Sequence, residues 1–91
     1  MAQLIRPTGE VTEVTPKNKK FFSLTELQEL VGGIIEVAES RDGRIMVLHE
    51  EAKIYNEPIN VKATALYIWG GNDVIAGTVV IGDGNEIMLD V

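Results

Sequence analysis

The stretch Phe22–Leu48, FSLTELQELVGGIIEVAESRDGRIMVL, constrains the fold more than any other part of this chain. Ser23 and Glu26 stand in the spacing S-x-x-E. In that spacing each side chain takes up a backbone N–H orphaned at the first turn of a helix. Phe22, just before the cap, is placed to pack on Leu27 as a hydrophobic staple. Glu26 also sets negative charge at the positive end of the helix dipole. Leu24, Leu27, Leu30 and Val31 then recur at helical spacing and make one apolar face. Gly32 and Gly33 follow, where the chain can take the left-handed conformation that ends a helix. Beyond them, Ile34–Glu39 and Arg44–Leu48 are two β-prone runs around Ser40-Arg41-Asp42-Gly43. Asp-Gly is a strong hairpin signal because glycine accepts a positive φ without steric cost. The centre therefore reads as helix, stop and hairpin.

The flanks extend this pattern. Gln3–Arg6 and Glu10–Thr15, joined by Pro7-Thr8-Gly9, read as a first hairpin. Asn60 is a good N-cap for a second helix over Val61–Tyr67, with Ala63, Leu66 and Tyr67 on one face. Gly70-Gly71-Asn72-Asp73 is a stop. Val74–Ile81, VIAGTVVI, is almost continuously apolar and predicts a central buried strand, with Gly77 at a bulge or close approach. A turn at Gly82–Asn85 leads to a last strand over Glu86–Val91, antiparallel to the one before. The order is β-β-α-β-β-α-β-β. Packing both short helices on one face of an antiparallel or mixed sheet gives a two-layer α+β domain spanning residues 1–91. Ninety-one residues, 45% of them hydrophobic, supply one modest core and little room for a deep pocket.

Charge and composition narrow the function. The net charge of −6 argues against binding to nucleic-acid duplexes, which calls for a basic face. The absence of cysteine removes disulfides and thiol chemistry and fits a reducing cytoplasm. No apolar run reaches the roughly 18 residues of a membrane span, and Met1-Ala2-Gln3 does not open a signal peptide. His49 is the one histidine, and its neighbours Glu50 and Glu51 do not complete a zinc site. No Ser/His/Asp set has positional support. Neither an enzyme nor a cofactor is expected.

Two groups of residues remain as candidates. Lys17, Lys19 and Lys20 lie in the polar loop after Pro16, and Arg41 and Arg44 flank the hairpin tip. They are the cations available to an anionic ligand such as a nucleotide, although an ordinary solvated loop before a helix explains the lysines more simply. Trp69 follows a short helix and precedes two glycines. It is read either as a core side chain or, with Tyr67 and His49, as a candidate contact surface, since an exposed tryptophan is a typical interface anchor.

The residues Leu24, Leu27, Gln28, Val31, Gly32, Gly33, Ile35, Glu36, Glu50, Glu51, Lys53, Pro58, Asn60 and Gly77 together resemble the pattern of a family of small domains of unknown function found in phages, prophages and bacterial mobile elements. The resemblance spans about Phe22 to Gly82. His49 stands where the family commonly has asparagine, and Ala52 where it commonly has glycine. The resemblance implies action inside a bacterial host cell. It leads to the expectation of a small non-enzymatic binding protein acting on a host component, inhibiting a defence system by holding a host protein or sequestering a nucleotide signal. The alternatives are an oligomerisation module without a ligand, and an acidic mimic that engages a DNA-binding host protein.

Overall fold

The computed structural model describes residues 2–87. Its central helix, α1 (Leu24–Val31), is fixed at both ends by the residues that foretell it. Ser23 is extended, and its hydroxyl accepts from the Glu26 N–H at 3.2 Å. The Glu26 carboxylate accepts from the Ser23 N–H at 3.0 Å, which closes the capping box. Gly32 ends the helix at φ 95°, donating to Gln28 O at 2.9 Å. Phe22 and Leu27 are both buried in one apolar cluster, as a staple requires. The apolar face is narrower than its spacing suggests. Leu27 and Val31 are buried and Leu30 packs beside them, but Leu24 is 54% exposed.

Among the described residues, five strands form one fully antiparallel sheet, in the order β2-β1-β5-β4-β3. Strands β1 (Ala2–Ile5) and β2 (Val11–Val14) are the first hairpin. Strands β3 (Ile35–Glu39) and β4 (Ile45–His49) are the second. Strand β5 (Val79–Gly82) inserts between β1 and β4 and is buried throughout. Because strand side chains alternate between faces, the sheet divides its apolar residues into two sets. Leu4, Val47 and Val80 meet Phe22, Leu27 and Val31 on one face. Ile5, Met46, Val79 and Ile81 meet Ala63 and Ile75 on the other, with Leu66 and Tyr67 packed beside them.

The second helix, α2 (Val61–Leu66), therefore covers the face opposite α1. The α+β class and the antiparallel sheet agree with the sequence; the placement of both helices on one face does not. The physical reason is β5. Val79, Val80 and Ile81 are all fully buried, and a strand with apolar side chains on both sides must be covered on both sides.

The apolar run Val74–Ile81 is split. Only its end enters β5. Its middle pairs instead with the segment before α2: the Asn60 N–H donates to Ile75 O at 2.7 Å, and the Gly77 N–H to Pro58 O at 2.8 Å. Gly77, at φ 80°, makes the break between the two pairings. A Cβ there would approach the Glu57 carboxylate to 2.6 Å. Gly77→Ala is expected to cost roughly 1–3 kcal/mol, from left-handed strain plus crowding, read as a fall in the urea midpoint. The strand expected over Glu86–Val91 falls largely outside the described residues. Within them, Glu86 lies in a turn, and Ile87 is buried against Phe22 and Leu27.

Candidate functional site

His49, at the end of β4, is not where its flanking acids suggest. It is 7% exposed, and its Nδ1 meets the Glu57 carboxylate at 2.5 Å rather than Glu50 or Glu51. Its ring stacks on Tyr55, with centroids 5.7 Å apart and planes 15° from parallel. A Cβ on Gly33 would run into the imidazole, so Gly33 keeps room for the ring. Glu57 is thus held between His49 and Gly77, and Ala52–Pro58 folds back over the sheet end through a 2.9 Å bond from the Glu57 N–H to Ala52 O. His49 is thus mostly buried, and it lines the inner side of the cleft described below. Among the described residues no three His, Asp or Glu side chains converge as a metal ion would need.

The five candidate cations fall into two separate patches. Lys17, Lys19 and Lys20 follow β2, and Arg41 and Arg44 follow β3. These are the two opposite edge strands, four strand steps or roughly 19 Å apart. The arginines are also engaged. The Arg41 N–H donates to Leu66 O at 2.8 Å and its Nε to Ala65 O at 3.2 Å, which caps the last turn of α2. Arg44 pairs with Asp42 at 2.8 Å. Within one chain these residues form no common anion site.

A cleft of about 470 Å³ lies instead on the α2 face, at the β3 edge. Its floor includes Ala38, Leu48 and Ile75, and its rim includes Trp69, Glu36 and Glu50. Trp69 is 60% exposed, and Ile68 and Val74 beside it are also open to solvent. Lys53, the cation of this rim, is bound to Asp73 at 2.8 Å. The cleft is built by the descent from α2. Gly70 donates to Tyr67 O, and Asn72 and Asp73 donate to Trp69 O, so the Gly-Gly turn holds the tryptophan outward. Trp69 followed by two glycines was the sequence signal for this site. Nothing local marked Glu36 as its other wall.

Among the described residues, three carboxyls, on Glu26, Asp42 and Asp73, are held below their ordinary values. Glu26 is lowered first by the Ser23 N–H and then by the Lys17 N–H. Asp42 is lowered chiefly by the Ser40 hydroxyl, with the Arg44 backbone N–H and guanidinium adding to it. Asp73 is lowered chiefly by the Lys53 ammonium, and then by the Val74 N–H. A carboxyl that binds its proton less readily when folded contributes stability above its unfolded pKa, and loses it as pH falls through the folded value. From these groups, stability is expected to be level above the ordinary glutamate value of 4.5 and to decline on further acidification. Asp42→Asn should flatten that acid limb in a series of denaturation curves.

A five-stranded antiparallel sheet with one short helix on each face defines this as a small α+β domain with a cleft at one sheet edge. The model of the domain-of-unknown-function family DUF3846 matches residues 2–88, and the chain belongs to that family. No curated protein and no solved structure matches it. Among the described residues no helix is long and apolar enough to cross a membrane.

Proposed function

We propose that this chain is a small non-enzymatic binding protein of phage or mobile-element type, acting on a host component in the bacterial cytoplasm, and that the component it engages is a protein. The observation that carries the protein reading is the cleft beside β3, with Trp69 60% exposed on its rim. A half-open indole among aliphatic side chains is the usual anchor of a protein interface. The acids Glu36 and Glu50 around it repel phosphate, so this cleft does not favour a nucleotide. The candidate cations lie elsewhere and in two patches. A non-enzymatic role is supported by His49, whose Nδ1 is taken by Glu57 and whose Nε2 lies against Gly33. The phage or mobile-element origin, and with it a role against a host defence system, rests on the sequence resemblance alone.

The test is capture from a bacterial lysate on the immobilised protein and on its Trp69→Ala variant, followed by calorimetry with the purified partner. Binding is expected to weaken about thirtyfold in the variant, as for a loss near 2 kcal/mol at an interface anchor. A heat of binding from nucleotides, with no protein whose retention depends on Trp69, would overturn the reading.

A further inference from the structure

The β3–β4 ladder fixes which backbone groups of β3 face outward. The Glu50 N–H bonds Ile34 O at 2.8 Å, and the Ser40 N–H bonds Arg44 O at 2.9 Å. In an antiparallel pair, alternate residues bond the same neighbour. Glu36 and Ala38 therefore face β4, whereas Ile35, Val37 and Glu39 turn their N–H and C=O groups away from it. At one end this outer edge is already used. Ile68 donates to Glu39 O at 3.1 Å, and Arg41 donates to Leu66 O at 2.8 Å, so the chain leaving α2 pairs with β3 and then departs at Trp69. No described residue takes up the outward groups of Ile35 and Val37. An unpaired edge of this kind is a template for another strand.

From this geometry we propose that the β3 edge from Ile35 to Glu39 binds an extended segment of a partner protein by strand addition, the segment carrying alternating basic and apolar side chains. The inference rests on the reading of the cleft as a protein-binding site and names the mode and chemistry of that binding. The added strand continues the pairing that Leu66–Ile68 begins. On the α2 face its side chains enter the cleft over Ala38 and Leu48 and beside Trp69, where Glu36 and Glu50 meet basic groups. On the other face they cover Val37, which is 48% exposed. Charge selects this occupant over a second copy of the chain. Two copies would bring Glu36 and Glu39 of both strands together, on a protein of net charge −6.

The probe is a blocked hexapeptide of alternating lysine and valine, titrated calorimetrically into the intact protein, with amide exchange followed by NMR. Expected are protection of the Ile35 and Val37 amides, a blue shift of Trp69 emission, and binding about tenfold weaker for the glutamate–valine counterpart. Val37→Pro removes an N–H that makes no bond in the fold and blocks pairing at the edge. Glu36→Lys reverses the rim charge at an exposed position. Each is expected to weaken the peptide about tenfold while the thermal transition stays cooperative. No binding, protection elsewhere, or indifference to both variants would overturn strand addition. Self-association abolished by Val37→Pro would assign the edge to a second copy instead and overturn it too. A partner retained through Trp69 while the edge proves inert would leave the binding role standing and remove only this mode. The absence of any Trp69-dependent partner would remove the role itself.

Discussion

Replacing Asn60 with alanine is expected to lower the melting temperature by about 20 °C or more, the first of the two largest effects anticipated for this fold. Asn60 is fully buried and joins three parts of the chain. Its Oδ1 accepts from the Ala63 N–H at 3.1 Å and caps α2. Its Nδ2 donates to Ile5 O at 2.9 Å, on β1, and to Gly77 O at 2.8 Å, at the break before β5. Loss of the cap costs about 1 kcal/mol. The two buried carbonyls left behind add roughly 1–2 kcal/mol each, because water does not replace the lost donor. A total of about 3–5 kcal/mol is a large part of the roughly 5–10 kcal/mol that a domain of this size has.

Asn60→Asp separates the two contributions. It keeps the cap acceptor and the shape, but it turns the donor into a charged oxygen facing two carbonyls. At neutral pH it should be at least as damaging as alanine, and it should recover in part on acidification, when the carboxyl can again donate. Equilibrium denaturation of both variants across pH checks this. An Asp variant as stable as the parent at neutral pH would show that the Nδ2 bonds carry little.

Phe22→Ala is expected to cost about 3–5 kcal/mol, against less than about 1 kcal/mol for Phe21→Ala. Phe22 is 2% exposed and packs with Leu27, Val31 and Ile87 between α1 and the sheet, whereas Phe21 is 37% exposed. Removing the buried ring leaves a cavity that a helix held by its capping box is poorly placed to fill. Urea titrations of the two variants give the comparison directly. Similar midpoints would mean that the core closes around the loss.

The contrast between these adjacent phenylalanines was legible in the sequence, because the staple singles out the residue immediately before the cap. The same holds for α1, its capping box and glycine stop, the Asp-Gly hairpin and the Asn60 cap. Each depends on groups within a few residues of one another. The second role of Asn60, tying β1 to Gly77, was not legible, since Ile5 lies 55 residues away. Nor was the true partner of His49. Glu50 and Glu51 adjoin it in sequence, but alternation along the strand and the turn after it carry them elsewhere, and Glu57 returns to the ring.

The candidate site divides in the same way. Trp69 before two glycines could be read as a core side chain or as an exposed interface anchor, and the structure leaves it exposed. The lysine loop and the hairpin arginines read as one cationic set until the strand order separated them onto opposite edges of the sheet. Local chemistry, in caps, turns and apolar periodicity, was settled by the sequence itself, because those hydrogen bonds close within one or two turns of chain. Strand order, the face each helix covers, the open outer edge of β3 and the acidic cleft beside it were decided only in the tertiary structure. They follow from the insertion of β5 between β1 and β4, a pairing of distant segments whose apolar side chains required cover on both faces of the sheet.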